Sequence, residues 1–101
     1  MLQEIIKRVT EHLKALEEAK DTAFPKARKA RTLSKQSILM LHKSELENAS
    51  RFISEAANLL VEVSGIGETF PSIQSSETVV AALQEYSEAA ILLSLVNEKK
   101  Y

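Results

Sequence analysis

The chain has no cysteine and no tryptophan, and glycine and proline occur only twice each. Without cysteine there is no disulfide, no thiolate metal site and no thiol nucleophile. With so little punctuation, a sheet of many short strands joined by tight turns is excluded, and long helices with few loops are what remains. Aromatics are limited to two tyrosines and three phenylalanines, so stacking platforms for single-stranded bases are scarce. No basic-then-apolar leader pattern opens the chain, and the apolar run after Glu88 is too short to cross a bilayer. The expectation is a soluble, cytoplasmic, all-α protein without membrane association. Its 101 residues allow a single domain, an antiparallel bundle of about four helices.

A formal net charge of -1 conceals an uneven distribution. From Lys20 to Lys43 there are seven bases (Lys20, Lys26, Arg28, Lys29, Arg31, Lys35, Lys43) against Asp21 alone, a local excess of six. The remaining six bases face thirteen acids. One segment is therefore suited to a polyanion although the whole chain is slightly acidic.

Leu2, Ile5, Ile6, Val9, Leu13 and Leu16 recur at intervals of three and four, which predicts an amphipathic helix to about Lys20 with one buried stripe. His12 borders that stripe with no second ligand placed to share a metal. Pro25 predicts a restart or a sharp kink. In the second helix, from Pro25 to about Lys43, Ala27, Ala30, Leu33, Ser34, Ser37, Met40 and Leu41 form a core face, and Arg28, Arg31, Lys35 and His42 line the opposite one. Ser44-Glu45-Leu46-Glu47 reads as a capping box opening a third helix with the seam Leu46, Ala49, Ile53, Ala56, Leu60 and Val63. Gly65 reads as its left-handed end, Ser64 to Ser76 as a loop, and Ser75 or Ser76 as the cap of a last helix reaching about Glu98.

That last helix is apolar on every side except for Glu85 and Glu88, the only charged residues between Val79 and Val96. Such a helix needs more cover than three amphipathic partners provide: a second copy, another subunit or further sequence. Three residues apart, the two glutamates point the same way, and a carboxylate pair in apolar surroundings must be solvated, countered by bases or bound to a cation. Two carboxylates suit hydrated Mg²⁺ or Mn²⁺, which would take substrate phosphates as further ligands. The other reading is a salt bridge to Arg28, Arg31 or Lys35, or a polar strip beside water. Ferritin-like di-iron chemistry is disfavoured, because Ile91 stands where a histidine should follow Glu88.

Leu83-Gln84-Glu85-Tyr86-Ser87-Glu88-Ala89 resembles the Leu-Gln-Glu-Tyr-Val-Glu-Ala signature of the translin and Trax family. Leu33-Ser34-Lys35, Ile38 and Leu41-His42-Lys43 are similar to that family's Leu-Ser-Arg…Ile…Leu-His-Arg stretch. The resemblance runs from about Lys20 to Tyr101, and the first helix fits the charged leader of archaeal translin-like proteins. It implies an all-helical protein that joins like or translin-like subunits in hollow, usually eight-membered shells and binds RNA or single-stranded DNA. In the Trax branch and its archaeal relatives it further implies a metal-dependent endoribonuclease site on the inner wall. There Glu85 and Glu88 would be the catalytic and metal-binding acids, joined by an aspartate with no counterpart here. From the charge pattern itself, Arg28, Arg31 and Lys35 are the candidate nucleic-acid-binding bases, meeting the phosphate backbone, with a plain solvated face as the other reading. By the resemblance the chain also reads as the N-terminal part of a longer fold. The alternative is a non-catalytic helical oligomerisation module with a structural acid pair.

Overall fold

The computed structural model describes residues 1–98, and those residues form helices alone: α1 (Leu2–His42), α2 (Leu46–Thr69), the single turn α3 (Pro71–Gln74) and α4 (Glu77–Glu98). The all-α bundle expected from the sequence is present. Helix α2 runs back along α1, α3 makes the corner, and α4 packs mainly on α1 and less on α2. The molecule is a rod of 68 × 17 × 17 Å.

Three predicted boundaries are corrected. Helix α1 does not restart at Pro25; it passes through as one element of 41 residues. Pro25 lies on the solvent side, where water can serve the carbonyl of Asp21 that loses its helical donor. Ala23 and Ala27, fully buried on either side of it, hold the helix to the bundle. Gly65 does not end α2, which continues to Thr69, and neither glycine has positive φ. The expected loop is thereby reduced to Phe70, α3 and the two serines after it.

The predicted capping box does not form either. Ser44 sits at φ 61°, its amide donates to the Leu41 carbonyl at 3.1 Å, and the Glu45 amide donates to Met40 at 2.9 Å. This is a Schellman end to α1, and a residue held in the left-handed region cannot also take the extended geometry of an N-cap. Helix α2 starts from Glu45 with no side-chain cap. The cap of α4 is as expected: the Val79 amide donates to Ser76 Oγ at 3.3 Å, and that hydroxyl donates to the Ile73 carbonyl at 2.6 Å.

Small residues let the helices approach closely. In α1 the buried line is Ala23, Ala27, Ala30, Ser34, Ser37 and Leu41; in α2 it is Ala49, Ile53, Ala56, Leu60, Val63 and Gly67. Both alternate four and three, the spacing of knobs-into-holes packing. Ser37 Oγ crosses between them to donate to the Ala49 carbonyl at 2.8 Å, and Ser34 Oγ satisfies itself on Ala30 at 2.8 Å. Ile73, Val63, Val79, Ala82 and Ala89 are also buried to 1 % exposure or less.

The first stretch of α1 departs from expectation. Leu2, Ile5, Ile6, Val9 and Leu13 form the stripe that was read as buried, yet they are 70, 55, 56, 52 and 55 % exposed. Helix α2 ends near His12, whose ring lies 6.0 Å from that of Phe70. The preceding residues project past the bundle as an arm.

The two glycines of α2 give an internal contrast. A Cβ at Gly65 would meet nothing within 4 Å, whereas one at Gly67 would lie 2.6 Å from Oε1 and 3.0 Å from Cβ of Gln74. Gly65→Ala is expected to stabilise the fold by about 0.5–1 kcal/mol through helix propensity and a stiffer unfolded chain. Gly67→Ala must move the Gln74 side chain off its seat under α3, and is expected to destabilise by about 1–3 kcal/mol in spite of the same propensity gain. Urea unfolding of both variants, with opposite shifts in midpoint, is the check.

Candidate nucleic-acid interface and acid pair

The basic face forms as predicted. Arg28, Arg31 and Lys35 are exposed on α1, at spacings of three and four that align them within one side of the helix, opposite the buried Ala27, Ala30 and Leu33. None of the three enters an ion pair with a described residue, because the ion pairs among those residues are Lys26–Glu62 at 2.9 Å and Lys20–Glu17 at 3.8 Å. Their charge is left for solvent or a ligand.

Arg28 and Arg31 form one wall of a hollow of about 330 Å³ whose other wall is the start of α4: Glu77, Thr78 and Ala81. The role of this first turn was not foreseen, though the Ser76 cap carried the signal, since it fixes where α4 begins. Glu77 places a carboxylate beside the two arginines within that hollow. The hollow therefore has acidic as well as basic lining.

Glu85 and Glu88 lie on α4 where the sequence placed them, in unlike settings: Glu85 is half-buried and Glu88 exposed. The cause is the helix turn. Val79, Ala82 and Ala89 set the buried direction, Glu85 stands at its flank, and Glu88 is carried a further 60° outward. Neither forms an ion pair with a described residue, so the salt bridge to Arg28, Arg31 or Lys35, one of the alternative readings of the pair, is absent among those residues. Glu88 adjoins a shallow depression on the outer side of α4 with Val80, Leu83, Gln84 and Ser87. Among the described residues, no group of three or more acids, histidines or cysteines is placed to hold a metal ion. The pair offers two carboxylates and no third.

The two halves of the candidate site are connected through Ala81. It lies on the same stripe of α4 as Glu85 and Glu88, one turn before them, and it also lines the hollow formed by Arg28 and Arg31. Both helices run in the same direction, so Lys35 continues the basic row as the glutamates continue the α4 row. The hollow between α1 and α4 thus has Arg28 and Arg31 on one wall and Glu77 on the other, while Glu88 borders the separate depression on the outer side of α4.

Taken whole, α4 is long and apolar enough to cross a membrane, although the run after Glu88 alone is too short. Its two carboxylates sit near mid-length, where each would cost about 2.5–3.5 kcal/mol in a bilayer. Its Ala82 and Ala89 are fully buried in the bundle, whereas Ile91 and Leu95 are exposed. No protein-family model, curated protein or solved structure matches the chain.

Proposed function

We propose that this chain is a translin-like protein that binds single-stranded RNA or DNA along the α1–α4 crevice. Arg28, Arg31 and Lys35 take phosphate oxygens, and Glu85 and Glu88 hold a hydrated Mg²⁺ or Mn²⁺ ion beside them. The observation that supports this reading is the hollow between α1 and α4, where Arg28 and Arg31, in no ion pair with a described residue, stand beside Ala81, one turn before Glu85 on α4. Phosphate contacts of this kind position a strand without reading its sequence, which agrees with the shortage of aromatics. Single-stranded substrate is favoured because a flexible backbone follows a crevice of helix-to-helix width.

A divalent ion, when bound, would supply charge neutralisation at a phosphate and an acidified water. The chain's own part is to hold that ion: the half-buried Glu85 is the more ordered carboxylate, and the exposed Glu88 closes the chelate from the next turn. Two carboxylates suit an ion that keeps several waters and takes its remaining ligands from the substrate. Endoribonuclease chemistry belongs to an assembled form in which another acid joins the pair.

Titration calorimetry with Mn²⁺ tests the site. Saturable heat is expected from the parent chain and none from Glu88→Gln, with folding unaltered because Glu88 is exposed. Heat of equal size from both, or from neither, rules out the ion site. In an assembled form, Mn²⁺-dependent cleavage of single-stranded RNA should fall at least a hundredfold in Glu85→Gln, an effect of the size seen when a group supporting the transition state is removed.

A further inference from the structure

The structure assigns a dimer contact to the projecting arm of α1: we infer that residues 2–13 pair, antiparallel, with the same residues of a second copy. The seam that packs against α2 and α4 does not stop where those helices stop. Counting back from Ala23 in steps of three and four gives Lys20, Leu16, Leu13, Val9, Ile6 and Leu2, the alternation of the bundle with one half-buried lysine in it. Leu16 is already packed at the edge of the core cluster. Leu13, Val9, Ile6 and Leu2 are each more than half exposed, with Ile5 beside them at 55 %.

What covers this seam is indicated by its flanks. Charged residues of the arm (Glu4, Lys7, Arg8, Glu11 and Lys14) all fall away from the seam, whereas the positions bordering it are Gln3, Ile5, Thr10 and His12. A partner helix that relied on charged flanks would find nothing to pair with. The arm itself fits. Set antiparallel, Leu2 meets the second copy's Leu13 and Ile6 meets its Val9, giving four apolar layers that use every free seam residue once. At the borders Ile5 then lies by His12 and Gln3 by Thr10, so no like charges oppose each other. The arm's formal charges also cancel, three bases against two acids from Leu2 to Lys14 and four against four on reaching Lys20.

The area is sufficient. Five aliphatic side chains, each about half exposed, amount to on the order of 500 Å² per copy and roughly 1,000 Å² for the pair, at the threshold for a specific interface. A reversible dimer of modest affinity is the expectation, and it does not depend on nucleic-acid binding.

Sedimentation equilibrium of the full chain, without nucleic acid or metal, is the test. The mass should rise with concentration toward twice the 11.2 kDa of one chain. Ile6→Glu with Val9→Glu should return it to that of one chain and leave the unfolding midpoint of the bundle in place. Ile91→Glu with Leu95→Glu, on the exposed side of α4, should leave the dimer intact. A chain that stays monomeric at hundreds of micromolar, or a dimer that survives the arm variant or is lost in the α4 variant, overturns the proposal. Because the chain has no cysteine, orientation can be read directly. Ile6→Cys mixed with Val9→Cys should oxidise mainly to the mixed disulfide, and a preference for like-with-like disulfides overturns the antiparallel pairing.

Discussion

Ile73→Ala is expected to lower the stability of the chain by about 3 kcal/mol, a large share of what a domain of this size possesses. Ile73 is the largest side chain with essentially no exposure among the described residues. It belongs to a helix of only four residues, and it joins the same core cluster as Ala23 of α1 and Val79 of α4. Its removal leaves a cavity that the core is poorly able to close, because Ala23, Ala27 and Ala82 of the same cluster are already small and belong to long helices. The turn Pro71–Gln74 has no other buried residue to keep it in place, so the corner that returns the chain to α4 loosens as well. In urea the midpoint should fall with little change in slope, and the thermal midpoint should drop by roughly 12–24 °C. Val61→Ala, at a position 71 % exposed, should stay within about 0.5 kcal/mol of the parent. Equal effects at the two positions would mean that α3 does not anchor the fold.

Replacing Arg28, Arg31 and Lys35 together by alanine is expected to weaken binding to a single-stranded oligonucleotide roughly a hundredfold at low salt. It should also reduce the dependence of log affinity on log salt by about 2, since each phosphate contact on a single strand contributes about 0.7. Stability should scarcely change, because all three side chains are exposed and none forms an ion pair with a described residue. The comparison that gives this result meaning is Lys7, Arg8 and Lys14 replaced together, which removes the same charge from the arm of α1. If the crevice is the binding face, the arm variant should bind within a few-fold of the parent. Equal losses in both would show attraction to overall charge without a defined face. Fluorescence anisotropy across a salt series distinguishes the outcomes.

The periodicity of the chain predicted which faces are buried far better than the residues at helix ends predicted where helices stop. Ala27, Ala30, Leu33, Ser34, Ser37 and Leu41 proved to be core, as did Ala49, Ile53, Ala56, Leu60 and Val63, with Met40 and Leu46 of the same faces only half-buried, because a repeat over several turns sums many burial terms. End signals rest on single residues worth about 1 kcal/mol or a few, and packing overrides them. Pro25 was tolerated because neighbouring alanines on both sides are seated in the core. Gly65 was tolerated because Val63 and Gly67 keep α2 on its path. Ser44 and Glu47 had the spacing of a capping box, but the Schellman closure of α1 engaged Ser44 first. The acid pair was legible as an oddity of composition; its unequal exposure was not, since that depends on where α1 lies around α4. Nor did the pattern of Leu2 to Leu13 reveal that this stretch stays uncovered by α2 and α4: an apolar stripe shows that a face is to be covered and does not show by what.

The passage of α1 through Pro25 also has a mechanical consequence. Every other turn of α1 resists bending with a full set of backbone hydrogen bonds, but this one lacks a rung on its wet side. That missing rung gives no hinge, because Leu16, Ala19 and Ala23 beyond it are packed in or against the core and oppose any swing. The helix therefore reaches Leu2 as a single strut, and two chains joined at their arms would hold their bundles at a set spacing.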